Sequence, residues 1–393
     1  MDALGYRVLF LDSYTVSHPG AGAAPSSDSI GYGITASDAI RSGLISLGMQ
    51  LSRPLIDAGD ESVTAQGRRS AWILGNYHTV LRSLLNDPPD AIFCFHIMMA
   101  SPVEIRRMAL DLGLSVPIMG YTHGSHWDPT DTFRHEAYPG LDLLDLANLD
   151  VVDRLLVVSE YMRTTLQNNI SAFNSDVAQR IDAKVVVVGL PLDVDRIDRC
   201  RTDREFPRPT VVFNHAPVAS KNPELFVQVM TRVLPRHDVN VLFTREFAPY
   251  QAGGKAVAEL ASQFPDQVIL GRDMPLDDYY AALWASELQV STASHESLGV
   301  ATLEAMYATN CCILPRLGSY PEICENHPDV LYDLGPGPLE ERLCYFLEHE
   351  KERRAVAMQL RVMASKYQPS IVIPKIARSL VAAIDSRDHG HGR

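Results

Sequence analysis

Cysteine is scarce: six residues in 393, with no Cys-x-x-Cys pair and no disulfide-like spacing. Cys94, Cys200, Cys311, Cys312, Cys324 and Cys344 are therefore expected to be reduced core thiols, which places the chain in the cytoplasm. Long apolar runs are missing too. No segment reaches the roughly 18 apolar residues that a membrane-crossing helix needs. The opening MDALGYRVLFLDSY has neither a basic leader nor an extended apolar stretch, so neither secretion nor a membrane span is expected. Positive charge is in deficit, with 35 Lys and Arg against 48 Asp and Glu and a net charge of −13. A surface that grips nucleic acid neutralises phosphates with clustered Lys and Arg, so this balance argues against nucleic acid as a partner.

What is present is an ordinary globular composition, 46% hydrophobic, on a chain long enough for two or three domains. Short apolar runs alternate with helical patterns from Arg7 onward. Residues 8–11, 91–95, 116–119, 154–158 and 184–188 read as strands, with helices expected around 36–47, 68–85 and 102–112 and from Glu160. A second series of strands reads at 210–213, 239–243, 268–271, 288–292, 311–314 and 330–332, each pair separated by a helical stretch. Continuously apolar strands joined through helices imply parallel sheets covered on both faces. The expected class is α/β, with two Rossmann-like domains facing each other across a cleft. Residues 1–188 form the first, 189–209 the linker and 210–370 the second, with helices expected over 339–364 and 372–384. Residues 371–393 supply a last helix returning toward the first domain and a flexible tail. Ligands of open α/β sheets bind at the carboxyl ends of the strands, so the cleft is the expected site.

One stretch speaks to chemistry. Ser291 to Glu304 reads STASHESLGVATLE and sets Glu296 and Glu304 eight positions apart around Gly299. A helix beginning near Ser297, Leu298, Gly299 and Val300 offers free backbone N–H groups and the positive end of its dipole to an anion, and Gly299 allows close approach. Such a place seats a diphosphate. Glu296, ahead of the helix, is positioned to accept from the hydroxyls of a group beyond the phosphates. Glu304, in the first two turns, points sideways to where a ribose diol would lie. Phosphates with a polyol on one side and a ribose on the other describe a nucleotide sugar. Lys221, about eight residues past the strand at 210–213, falls in a loop at the same end of the sheet, where an ammonium can neutralise a departing diphosphate.

The wider context of these residues resembles a known pattern. Val290-Ser-Thr-Ala-Ser-His-Glu296, Gly299-Val-Ala-Thr-Leu-Glu-Ala305 and Leu314-Pro-Arg-Leu-Gly-Ser-Tyr-Pro-Glu-Ile323 follow the E-x7-E signature of family-4 retaining glycosyltransferases, which have the GT-B fold. Phe213-Asn-His, Lys221-Asn-Pro-Glu-Leu-Phe226, His295-Glu296 and Tyr320-Pro-Glu-Ile323 are most similar to queuosine-tRNA mannosyltransferase-like proteins. The C-terminal half carries nearly all of the likeness. It implies a metal-independent retaining transfer of a hexosyl-type group, with no cofactor beyond the nucleotide diphosphate sugar that serves as co-substrate.

The resemblance assigns further residues. His123, after the strand at 116–119, occupies the place of a histidine that binds the transferred sugar or guides the acceptor. Gly20 and Gly22 lie where the family's glycine-rich loop faces the diphosphate. Met274 lies in Gly271-Arg-Asp-Met-Pro275, which resembles the loop whose backbone reads the base. An arginine usually stands five residues before the lysine, and here that position is Ala216. Arg245, then Arg272, are the candidates for the second cation. Asp193-Val-Asp195 has the form of a metal-binding D-x-D but sits in the linker, and His126, Asp128 and His135 lack ligand spacing, so no metal is expected.

The donor is expected to be UDP-, GDP- or ADP-linked and the acceptor hydroxyl or amine to belong to a small soluble, natural-product-like molecule. tRNA stays open as an acceptor through the resemblance and against the charge. A GT-B epimerase or hydrolase of nucleotide sugars, or a nucleotide-sugar-binding protein weakened by Ala216, are the rival readings.

Overall fold

The computed structural model describes residues 5–12, 32–52, 77–131, 140–203, 206–272 and 274–388. They divide into two compact units. One takes in the described residues up to Pro191 and again those from Pro369 on, and the other runs from Leu192 to Gln368.

The first unit is a six-stranded parallel sheet in the order β2-β1-β3-β4-β5-β6. Its strands are β1 (Arg7–Leu11), β2 (Gln50–Ser52), β3 (Ala91–Cys94), β4 (Ile118–Thr122), β5 (Arg154–Val157) and β6 (Val185–Val187). The helices are α1 (Tyr32–Ser46), α2 (helical residues 77–86), α3 (Ile97–Ala100), α4 (Pro102–Asp111), α5 (Leu141–Val151), α6 (Glu160–Phe173), α7 (Ser175–Asp182) and, at the end of the chain, α16 (Pro369–Asp388). Starts follow local chemistry: Pro102 opens α4, where its missing N–H costs nothing, and the Ser159 hydroxyl accepts from Met162 N to cap α6. The strand expected over 116–119 begins at Ile118 instead, because Pro117 has no N–H to give to a ladder. The structure adds β2, three residues too exposed to leave an apolar run.

The second unit repeats the plan. Its strands are β7 (Thr210–Phe213), β8 (Asn240–Phe243), β9 (Val268–Leu270), β10 (Leu288–Val290), β11 (Cys311–Pro315) and β12 (Leu331–Tyr332), all parallel, in the order β12-β11-β10-β7-β8-β9. The helices are α8 (Val194–Arg199), α9 (Pro223–Val233), α10 (Gly254–Gln263), α11 (Leu276–Trp284), α12 (Val300–Tyr307), α13 (Tyr320–Ile323), α14 (Pro336–Glu348) and α15 (Glu350–Ala364). Relative to β7 as first strand, this is the doubly wound order, and the winding reverses between β7 and β10. Leu288 of β10 pairs with Val211 of β7 on one side and with Cys311 of β11 on the other. β7, β8, β10 and β11 are buried throughout, which is why they read as largely apolar runs, with Gln289 the polar break inside β10.

The helix expected over 339–364 is two helices meeting at His349, whose ψ of 74° is non-helical. The buried Arg353 guanidinium donates to Phe346 O at 2.8 Å, satisfying a carbonyl that the end of α14 leaves open. Among the described residues, no helix is long and apolar enough to cross a membrane.

Aromatic packing anchors the sheet of the second unit to its helices. Phe226 of α9 stacks on Phe213 at 4.7 Å between ring centroids and meets Phe243 edge-on at 5.7 Å. All three side chains are fully buried. Phe226→Ala is expected to cost about 3–5 kcal/mol, in line with large-to-small changes at packed sites. The drop in the denaturation midpoint checks this.

Candidate active site

The loops after β7 and β10 leave the sheet of the second unit side by side, at the point where the winding reverses and doubly wound sheets bind ligands. The first loop carries Asn214, His215 and Lys221, and the second carries Ser291 to Gly299. They are laced together. Thr292 Oγ1 lies 2.8 Å from both the Lys221 and Asn222 carbonyl oxygens, and Ser294 N donates to Ser220 O at 2.8 Å.

This lacing sets Lys221 Nζ 2.6 Å from Glu296 Oε2. Their side chains are only 19% and 14% exposed, so removing either partner leaves a largely buried charge, generally a loss of about 3–5 kcal/mol. Glu296 is held from behind by the loop after β11. Ser319 N donates to Glu296 O at 3.1 Å, and the Tyr320 hydroxyl lies 3.4 Å from Glu296 Oε2. Gly318, at φ +56°, makes the approach possible, since a Cβ there would come within 2.5 Å of Glu296 O. Burial works to raise the Glu296 pKa, but Lys221, by charge and hydrogen bond, outweighs it and holds the carboxyl below its ordinary value. It is the ionised partner of an ion pair.

Gly299, left-handed at φ 84°, is the N-cap of α12, so the helix begins at Val300. Ser297 and Leu298 precede it, and the Leu298 side chain is buried. The N–H groups of the first turn of α12 have no intrahelical acceptor.

Glu304 lives in a different environment. The Tyr279 hydroxyl donates to its Oε2 at 2.8 Å and the Tyr280 hydroxyl to its Oε1 at 3.0 Å. Burial raises the Glu304 pKa, the two phenols and Arg245 pull it down, and the balance stays above the ordinary value. Arg245 therefore belongs to the Glu304 side of the site. Met274 is brought to the same strand end, its N–H donating to Thr244 O at 3.2 Å. Arg272 adopts a left-handed φ of 50° in that loop.

His123 directly follows β4 of the first unit and is 7% exposed, its ring edge-on to Phe95 and Tyr121 at 4.7 Å each and 5.4 Å from His96. Burial first, and then His96, push its pKa well below the ordinary histidine value. Gly20, Gly22 and His135 lie outside the described residues. Asp193 caps α8 by accepting from Arg196 N at 3.2 Å, and Asp128 accepts from Thr130 and Tyr161. Among the described residues, no group of three His, Cys, Asp or Glu could hold a metal ion. The six cysteines are free thiols.

Five residues of the second unit's site carried no functional signal of their own in the sequence. Tyr279 and Tyr280 read as ordinary aromatic residues of a helix, and Gln289 is a polar interruption in an apolar strand. Asn214 and His215 stand out only within Phe213-Asn-His, a run that gives neither of them a role. A fully buried glutamine in a central strand is the one anomaly that spacing could have flagged.

No family model matches the chain. Its fold, however, is found among solved structures. Sucrose-phosphate synthase from Thermosynechococcus elongatus superposes with a TM-score of 0.72 at 14% identity, over 96% of this chain and 99% of that one. The catalytic domain of starch synthase IV from Arabidopsis thaliana, bound to ADP and acarbose, gives 0.67 at 12% identity, over 97% and 99%. Anabaena HepE in complex with UDP and glucose gives 0.64 at 14%, over 96% and 99%. Identities this low establish the fold, which is α/β of the GT-B type with two Rossmann-like sheets.

The site makes one pH dependence explicit. Burial, reinforced by Lys221 and opposed by Glu296, lowers the His215 pKa to about 3. The unfolded chain takes up that proton near 6.5 and the folded chain does not, so stability falls as pH drops through this window. For one such group the slope is about 1.4 kcal/mol per pH unit. His215→Asn is expected to flatten the decline between neutral and acid pH by about that amount, as checked by urea midpoints across the range.

Proposed function

We propose that the chain is a retaining glycosyltransferase that moves a hexosyl-type group from a nucleotide diphosphate sugar to an acceptor hydroxyl or amine. The observation that carries this reading is the Lys221–Glu296 pair, 2.6 Å apart, beside the N-terminus of α12 at the reversal of the second sheet. Cation, anion acceptor and free N–H groups stand where a diphosphate and its sugar need them. The GT-B structures solved with UDP and glucose or with ADP and acarbose support the same donor class.

The chemistry follows from the donor set. An ammonium has three N–H donors and one is spent on Glu296, so Lys221 keeps two for phosphate oxygens as negative charge grows on the leaving diphosphate. Glu296, ionised and accepting from Lys221 through one oxygen, has capacity left for sugar hydroxyls. Glu304 and Arg245 would receive the ribose side and Met274 the base. Catalysis then consists mostly of positioning and charge stabilisation, with the departing phosphate oxygen taking the acceptor proton. His123, neutral at physiological pH, is suited to donating or accepting a hydrogen bond and not to binding an anion by charge. A small soluble acceptor is favoured, since a net charge of −13 does not suit an RNA surface.

A panel of UDP-, GDP- and ADP-sugars, with free nucleotide followed with and without acceptor, tests the proposal. Glu296→Gln and Lys221→Ala are each expected to lower kcat by about 10²–10³-fold, the range for losing one preorganised stabilising group. Wild-type turnover in both variants would sink the site assignment. Equal nucleotide release with and without acceptor would point to hydrolysis instead of transfer.

A further inference from the structure

Under the Lys221–Glu296 pair runs a buried chain of amides whose hydrogen bonds can be oriented one by one. The Ala301 carbonyl in the first turn of α12 can only accept, so the Asn214 atom 2.7 Å from it is the amide nitrogen. The Asn214 oxygen is therefore an acceptor, and the Gln289 atom 3.2 Å from it must be Nε2. That same nitrogen lies 3.2 Å from His215 Nε2, to which its second N–H is directed. A ring nitrogen that accepts carries no proton, and a neutral imidazole has a single N–H, so the proton sits on Nδ1. The ring is kept neutral by burial and by the charge of Lys221, with Glu296 opposing, and these are the charged groups that act on it.

Orientation of the ring follows from its surroundings. His215 is 2% exposed and stands edge-on to Phe213 at 5.3 Å. Its Nε2 faces Gln289, which is fully buried in the middle of β10, and among the described residues the hydrogen bond of the ring is at Nε2. Nδ1 is the remaining polar edge, in a loop that leaves the carboxyl end of β7 for Lys221.

We infer that His215 presents Nδ1–H as an uncharged hydrogen-bond donor to an oxygen of the nucleotide diphosphate sugar, with its tautomer locked by Gln289 and Asn214. The ligand rests on the donor-site reading above; the tautomer does not. Asn214 Nδ2 also donates to the Tyr279 hydroxyl at 3.0 Å, which in turn donates to Glu304. The relay thereby ties the ring to α12 through Ala301 and to Glu304 through Tyr279, so the donor is aimed by the elements that would bind the rest of the ligand. Being neutral, it adds a directed hydrogen bond without a second positive charge beside Lys221.

Long-range 1H–15N correlation of the imidazole in the full chain reads the tautomer directly. A neutral Nδ1-protonated ring is expected throughout the range from about pH 5 to 8 in which free histidine titrates. Gln289→Glu, which replaces the donor by an acceptor, is expected to move the proton to Nε2. Titration with UDP, GDP and ADP then tests the ligand. An asparagine amide nitrogen falls near the position of Nδ1 and a glutamine amide nitrogen near that of Nε2. His215→Asn is therefore expected to keep the nucleotide affinity, and His215→Gln to lose roughly 10- to 100-fold, as for one hydrogen bond to a charged group. A wild-type ring protonated at Nε2 overturns the inference even if the variants fail to fold, and so does a His215→Gln chain that binds as wild type does. A wild-type chain that binds none of the three nucleotides overturns the donor-site reading and the ligand of His215 with it, while the tautomer stands or falls on the spectrum.

Discussion

The ion pair between Lys221 and Glu296 is the contact on which the site of the second unit depends. Its partners come from loops 75 residues apart in sequence, and only the adjacency of β7 and β10 brings them together. Thr292 and Ser294 tie one loop to the other, and Gly318 lets the loop after β11 close against the Glu296 backbone. Three strand ends thus converge on one carboxylate. An ion pair this sheltered is a weak source of net stability but a strong constraint on geometry, because either charge left alone would be costly.

Two glutamates eight positions apart end in opposite electrostatic regimes. Glu296 meets an ammonium and stays ionised below the ordinary range. Glu304 meets two phenols that donate without charge, and burial prevails over them. The same residue type thereby holds its charge readily at one position and is driven toward the neutral form at the other. Beneath them the amides of Asn214 and Gln289 carry orientation from α12 to His215, so the polar interior of the sheet acts as a scaffold for the rim.

Much of the fold was legible because its strands are buried on both faces. Runs such as Thr210–Phe213 and Cys311–Pro315 announce themselves without any partner in view. Where the apolar signal is weak the sequence misleads. The exposed β2 left no trace, and the break at His349 depends on an Arg353 side chain that reaches a carbonyl one helix earlier. Within the site, Glu296, Glu304, Gly299 and Lys221 could be singled out because a helix start and its flanking carboxylates are local features. Tyr279, Tyr280 and Gln289 could not. The partners of the two tyrosines lie on another helix and those of Gln289 on a neighbouring strand end, and only the polar break that Gln289 makes in an apolar strand sets any of the three apart from core residues.

The sequence by itself determined the two parallel sheets and a helix start beside Gly299, both of which follow from short-range periodicity and backbone preference. Tertiary structure alone decided that Lys221 belongs to Glu296, that Glu304 belongs to two tyrosines and Arg245, and that His215 carries its proton on Nδ1. Strand order accounts for the division. A winding that reverses between β7 and β10 places distant loops side by side, and charge, burial and hydrogen-bond direction are properties of such neighbours, not of the residues taken singly.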